Sequence, residues 1–195
     1  MVATATATAT ITGSPARLPI HQLDLAAYNE IVASGALEGE HVELLEGVLV
    51  EMSPQSARHA AAIELLTRHF AGADAWLRVQ LPLEVPPDSE PEPDLALIAE
   101  RPPQGQHPRT ALLVVEVSVS SQATDRDVKA KLYARAGIAT CWLIDLPARA
   151  IEVLTNPHAD GYRNALRYTD DTNLPCPLNG VPDLDLAAFF EGVGD

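Results

Sequence analysis

Two carboxylates, Asp94 and Glu116, stand in stretches that are otherwise apolar. Asp94 opens "DLALIA" and Glu116 interrupts "LLVVEVSVS", and both stretches predict buried strands. Burying an unpaired carboxylate is costly, so something must compensate Glu116. If the two strands are neighbours, the carboxylates meet at one end of a sheet, where a divalent cation can offset their repulsion. Mg²⁺ binds one or two carboxylates together with waters and phosphate oxygens, so this pair predicts a Mg²⁺ (or Mn²⁺) site.

A lysine follows the second carboxylate at helical spacing. Asp125, Lys129 and Tyr133 are spaced i, i+4, i+8, so a helix from Asp125 to Ala136 presents them on one face. Lys131 then points about 200° away from Lys129, because each residue turns the helix by about 100°. We therefore predict that Lys129 reaches the carboxylates, where its charge would stabilise an anionic transition state. The alternative is that Asp125 and Lys129 form a solvated pair on the helix surface.

The elements that must position these side chains follow in a clear order. The patterns predict a helix, a hairpin that turns at Glu46 and Gly47, a second helix, three strands, the helix just described, further strands and a short closing helix. This order predicts an α/β (α+β) fold with one mixed central sheet flanked by helices. Trp76 and Trp142 fall in strand patterns and are predicted to lie in the core.

A low-complexity segment precedes the predicted fold. Residues 1–18 contain the run "ATATATAT" without a large apolar face, so we expect a disordered tail, followed by a single domain over residues 19–195. The tail lacks the charged and leucine-rich regions of a secretory signal. No stretch approaches the roughly 18 apolar residues of a membrane span, so we predict no membrane contact. The only two cysteines, Cys141 and Cys176, favour free thiols over a disulfide, so we expect a cytoplasmic protein.

The charge balance limits the kinds of partner. A formal net charge of −14 over 195 residues argues against a protein that coats nucleic acid through a broad basic face. It leaves room for an enzyme with a small basic groove beside an acidic metal site. The candidates for phosphate contacts are basic residues near the predicted site elements: Arg58, Arg68, Arg126, Lys131 and Arg135.

Four stretches together resemble a known family. They are "VELLEGVLVEMSPQSARH", "EPDLALI", "LLVVEVSVSSQATDRDVKAKLYARAGIATCWLID" and "AIEVL", and they cover roughly residues 41–154. The chain resembles the Uma-type restriction endonucleases of the PD-(D/E)XK nuclease-like superfamily. This resemblance implies a restriction-endonuclease-like core.

The resemblance also implies roles for individual residues. Pro93 and Asp94 match the PD element, and Glu116 matches the (D/E) element. The superfamily's usual lysine, two residues after the glutamate, is replaced here by Ser118. In this family the lysine comes from the following helix, where it corresponds to Lys129.

Three further residues are candidates by the same comparison. Glu43 matches a family glutamate and would be a catalytic residue that binds metal or water, the alternative being an exposed hairpin residue. His59 matches a family histidine that would contact phosphate or relay a proton, the alternative being a structural role at the start of a helix. Asp125, at the start of the lysine-bearing helix, is a candidate for the same phosphate or proton-relay role.

The function implied is a Mg²⁺-dependent endonuclease that hydrolyses phosphodiester bonds of nucleic acid, with DNA as the expected substrate. A homodimer is compatible with this function, because many endonucleases of this architecture pair to cut two strands. Two alternatives remain open. One is a non-catalytic interaction or dimerisation module on the nuclease scaffold, and the other is a hydrolase of small phosphodiesters.

Overall fold

The helices and strands follow the order predicted from the sequence, in a computed structural model that describes residues 20–119 and 128–194. In chain order they are α1 (Leu25–Ala33), β1 (Val42–Leu45), β2 (Val48–Glu51), α2 (Ala57–His69), a 3₁₀ turn (Phe70–Gly72), β3 (Trp76–Val79), β4 (Leu95–Ile98), β5 (Leu113–Ser118), α3 (Ala130–Arg135), β6 (Thr140–Asp145), β7 (Ala150–His158), β8 (Gly161–Thr169), β9 (Asn173–Leu174), β10 (Leu184–Asp185) and α4 (Leu186–Val193).

A six-stranded mixed sheet forms the centre of the fold, which confirms the predicted architecture. The strand order is β3-β4-β5-β6-β7-β8. Strands β5 and β6 are parallel, whereas the other neighbours in this sheet pair antiparallel. A parallel pair needs a long crossover, and the connection that contains α3 supplies it. Of the predicted helix over 125–136, α3 covers Ala130–Arg135, Val128 and Lys129 form a π-helical turn before it, and residues 125–127 lie outside the described ranges.

Apolar side chains cover both faces of this sheet, as a buried β5 requires. On one face α2 and α4 pack over a cluster that includes Phe70, Trp142 and Phe190. On the other face α3 packs through Leu132 and Tyr133 against a second cluster. All six residues of β5 are buried, so Glu116 lies deep in the sheet with only 3% of its surface exposed.

The hairpin of β1 and β2 forms a separate two-stranded sheet beside this core. Its two turn residues, Glu46 and Gly47, have φ of 48° and 78°. Positive φ at both central residues is the requirement of a type I′ turn, whose twist matches that of the flanking strands. The predicted turn is therefore confirmed, and a bridge between Leu44 and Glu90 ties the hairpin to the segment before β4.

The predictions for the two tryptophans and for the N-terminal tail are not all confirmed. Trp142 is fully buried as expected, but the prediction for Trp76 was wrong, because 54% of Trp76 is exposed on β3 at the edge of the sheet. The predicted tail over residues 1–18 lies outside the described residues. Within the described ranges no helix has the length and apolar character needed to cross a bilayer.

Candidate active site

A cavity of about 270 Å³ lies where the hairpin, α2, β5 and the residues before β4 and α3 meet. Its lining combines five carboxylates with a lysine, a histidine and two glutamines: Glu43, Glu51, Glu92, Asp94, Glu116, Lys129, His59, Gln55 and Gln80. The structure therefore brings together every predicted site residue that it describes. Asp125 lies outside the described residues.

Asp94 lies directly before β4 and opposite Glu116. Leu95 pairs with Val115 in an antiparallel ladder. Asp94, the residue before Leu95, therefore faces Glu116, the residue after Val115. The Oδ2 atom of Asp94 accepts a 2.8 Å hydrogen bond from the backbone N–H of Val117. This carboxylate therefore continues the hydrogen bonding of β5 at the point where β4 has not yet begun. The predicted adjacency of Asp94 and Glu116 follows from this register.

His59 lies against the same carboxylate. It occupies the first turn of α2, which begins after Ser56, whose side chain accepts the His59 backbone N–H. The Nε2 atom of His59 is 3.0 Å from Asp94 Oδ1 and 3.1 Å from Oδ2. An imidazole in this place can hold the orientation of Asp94, or carry a proton for a group bound in the cavity.

Glu116 is compensated by two side chains on the segment that carries α3. Tyr133, itself fully buried, donates a short hydrogen bond to Glu116 Oε1. Lys129 Nζ is 3.6 Å from the same oxygen. Burial raises the pKa of Tyr133, and the charge of Glu116 raises it further, so the phenol stays a donor. The sequence question about Glu116 thus has an answer within the protein itself.

Lys129 also joins Glu43 to the site. Its Nζ lies 3.1 Å from Glu43 Oε2, which accepts a second hydrogen bond of 3.0 Å from the backbone N–H of Glu92. Glu43 is only 5% exposed and Lys129 only 6% exposed. Neither residue fits its alternative interpretation as an exposed hairpin residue or a solvated helix pair. Lys131, by contrast, is exposed and lies beside Gly161 of β8, as the helical register predicted.

Glu92 and Gln80 are among the lining residues that the sequence analysis missed. Glu92 precedes Asp94 by two residues, and this spacing in an extended segment was the available signal. Burial raises the pKa of Glu92, with a further increase from Glu43 and an opposing effect of Lys129 and His41. Gln80 gave no signal, because it enters the cavity only through pairing of β3 with β4. Its backbone φ is 50°, and its Nε2 lies 3.5 Å from Asp94 Oδ1.

The predicted phosphate contacts are not part of this cavity. Of the candidates that the structure describes, none lines it. Arg68 pairs with Glu64, and Arg135 pairs with Asp88 at 2.8 Å. Arg126 lies outside the described ranges.

The lining fits a divalent cation by charge and by donor type. Five carboxylates face one lysine and one histidine, so the cavity holds more acidic than basic groups. Among the residues that the structure describes, no set of three or more His, Cys, Asp or Glu side chains is arranged to hold a metal ion. Mg²⁺ requires fewer, because one or two carboxylates suffice when waters and substrate oxygens complete its six ligands. Asp94 and Glu116 are the pair that would supply them.

Comparison with known proteins decides the family. Residues 26–188 match Uma2, described as "Putative restriction endonuclease". The chain belongs to this family. The Uma2 resemblance seen in the four sequence stretches is therefore confirmed.

A solved structure shares the Uma2 fold of this chain. It is described as a "putative nuclease belonging to DUF820 from Anabaena variabilis", with 15% sequence identity and a TM-score of 0.65. The similarity covers 78% of this chain and 90% of that one. At this identity the likeness shows the fold alone. No protein of curated function matches this Uma2 chain significantly.

Proposed function

We propose that this Uma2 protein is a Mg²⁺- or Mn²⁺-dependent endonuclease that hydrolyses phosphodiester bonds of DNA. The observation that carries the proposal is the meeting of Asp94 and Glu116 in one cavity with a buried lysine between Glu116 and Glu43. Families of this type use divalent cations, and the excess of carboxylates in the cavity supports the same requirement. A pair of protein copies would allow both strands of a duplex to be cut.

The residues divide the work of hydrolysis among them. Asp94 and Glu116 would hold the cation, which when bound supplies a polarised water and neutralises charge on the phosphate. Lys129 places a fixed ammonium beside the same carboxylates, where it stabilises the negative charge that develops on the phosphoryl oxygens. Tyr133 and His59 hold the orientations of Glu116 and Asp94. Glu92 lines the same cavity, and its raised pKa suits its carboxylate to accept a proton there.

A second candidate function rests on a specific contact. The pairing of Lys129 with Glu43 and Glu116 already compensates buried charge without a cation, as a non-catalytic module on this scaffold would require. The superfamily's usual lysine position is also Ser118 here. On this alternative the protein would bind partners and cleave nothing.

The experiment is a cleavage assay on supercoiled plasmid with Mg²⁺, with Mn²⁺ and with EDTA. Parent protein should nick or linearise the plasmid only with metal, and Asp94→Ala and Glu116→Gln should be inactive. A parallel assay with bis-p-nitrophenyl phosphate separates a small-phosphodiester hydrolase, which would prefer that substrate. Absence of cleavage, together with absence of Mn²⁺ binding by calorimetry, would establish the non-catalytic module instead.

A further inference from the structure

Two arginines that form no ion pair share one groove on β3 and the loop that follows β4. Arg68, Arg109, Lys129, Arg135 and Arg149 each form an ion pair. Arg78 and Arg101 form none within the described part of the chain, as is also true of Arg58, Lys131, Arg163 and Arg167. They line a common groove of about 530 Å³, together with the loop over residues 102–106.

The setting of Arg78 favours an anion. Its Nη2 donates a 3.2 Å hydrogen bond to the carbonyl of Pro82, while its Nε is buried without a hydrogen-bond partner. Burial lowers the pKa of this guanidinium. A partly desolvated cation without a counter-ion gains from an incoming phosphate, and arginine binds phosphate oxygens in a bidentate manner.

An exposed tryptophan completes the same surface. Trp76 is 54% exposed, and the guanidinium carbon of Arg101 lies 5.7 Å from the centre of its ring. Leu77 and Val79 point into the core, so Trp76 and Arg78 share the opposite face of β3. An aromatic ring with an adjacent arginine is the combination on which unpaired bases stack.

This surface runs from the candidate active site. Strand β3 ends at Val79, and the next residue, Gln80, lies against Asp94. At about 3.3 Å per residue, Trp76 lies about 13 Å from Gln80 along the strand. A nucleic-acid strand whose phosphate occupies the cavity would therefore have its next few nucleotides over β3.

We infer that Trp76, Arg78, Arg101 and the loop over residues 102–106, here called the β3 surface, bind a single-stranded nucleic-acid segment that continues from the phosphodiester in the cavity. The inference rests on the proposed function for its link to cleavage. A single strand fits better than a duplex, because only unpaired bases expose the ring faces that Trp76 can stack on. Arg78 and Arg101 together place positive charge in one groove of a protein whose formal net charge is −14.

The test is oligonucleotide binding in EDTA, where metal-dependent cleavage cannot occur. A fluorescein-labelled single-stranded 12-mer and its duplex are titrated with parent, Trp76→Ala, Arg101→Ala and two control variants. The controls, Leu166→Ala and Arg163→Ala, remove an exposed apolar side chain and an exposed arginine from β8 at the opposite edge of the sheet. Melting temperatures verify that all variants are folded.

Trp76→Ala should weaken single-strand binding roughly 5- to 100-fold. Arg101→Ala should reduce the slope of log K against log salt by about 0.7, the contribution of one phosphate contact. The single strand should also quench the fluorescence of Trp76, whereas Trp142 is fully buried and should not respond. Trp76→Phe should abolish the quenching, and the β8 variants should behave like the parent.

Several results would overturn the inference: preference for duplex, unchanged affinity of Trp76→Ala, or a protein dimer that dissociates in Trp76→Ala while oligonucleotide affinity stays the same. The outcome is independent of the proposed function. Binding without plasmid cleavage would support the β3 surface and contradict the nuclease. Plasmid cleavage by the parent, with unchanged oligonucleotide binding in Trp76→Ala and Arg101→Ala, would support the nuclease and contradict the β3 surface.

Discussion

Lys129 is the residue on which the charge balance of the site depends. Its ammonium lies between two glutamates that are each about 95% buried, so its removal leaves two carboxylates without their shared counter-charge. Removing one partner of a buried ion pair typically costs about 3–5 kcal/mol. The same ammonium is the proposed source of transition-state stabilisation, so stability and activity are coupled at this position.

We therefore expect Lys129→Ala to lower the free energy of unfolding by about 3 kcal/mol and metal-dependent cleavage by at least about 100-fold. Urea unfolding and plasmid nicking under identical buffer conditions measure the two effects. Lys131→Ala is the matched control, because that side chain is exposed beside β8 and should leave both quantities near those of the parent. Equal losses in the two variants would contradict the assigned roles.

Glu90 provides a residue-scale prediction about pH. It is 6% exposed, and burial raises its pKa to about 7, with further increases from Glu84 and Glu92. Between its ordinary pKa of 4.5 and about 7, the folded state keeps a proton that the unfolded state has lost. Ionisation of Glu90 therefore lowers stability as pH rises across this interval, and the loss is complete above pH 7.

Glu90→Gln should remove this loss. The difference in unfolding free energy between variant and parent should be near zero at about pH 4 and reach about 3 kcal/mol in favour of the variant above about pH 7. Urea titrations at several pH values measure it, with Glu191→Gln on the exposed side of α4 as the control. A constant difference across pH would show that Glu90 does not titrate in this range.

At the scale of elements, the hairpin turn fixes where Glu43 lies. A Cβ on Gly47 would come within 2.6 Å of the Gln22 Cβ and 2.9 Å of the Leu23 carbonyl oxygen, and its φ is 78°. Gly47→Ala should thus combine backbone strain with a clash, and lower the melting temperature. Gly39→Ala has a similar φ of 87° with nothing nearby, so it reports the strain alone. If both variants lower the melting temperature equally, the added methyl group at residue 47 does not clash with Gln22 and Leu23.

How far the sequence predicts the fold depends on how local each signal is. The turn at Glu46 and Gly47, the buried β5 and the helical register of Lys129 depend on neighbouring residues, and all three are found as expected. The edge position of β3 depends on pairing across the whole sheet, so the burial of Trp76 was wrongly predicted. Gln80 joined the site through the same pairing, and no local pattern could have identified it.

At the scale of the whole molecule, the site joins two separate sheets around an excess of carboxylates. A cation held by Asp94 and Glu116 would reduce this repulsion and bind only the folded state. We expect Mn²⁺ at about 100 times its Kd to stabilise the parent by about 2.7 kcal/mol. Differential scanning fluorimetry should show a rise in melting temperature for the parent and none for Asp94→Ala. A rise of equal size in that variant would place the cation elsewhere.

Two backbone amides give the site its own reporters. The N–H groups of Glu92 and Val117 donate to the carboxylates of Glu43 and Asp94. Their proton chemical shifts therefore depend on the charge and orientation of those two side chains. In a ¹⁵N-labelled sample, resonances of Glu92 and Val117 would register occupation of the cavity by Mg²⁺, which is diamagnetic, independently of turnover. The same two signals, followed by hydrogen–deuterium exchange, would tell when each carboxylate releases its amide.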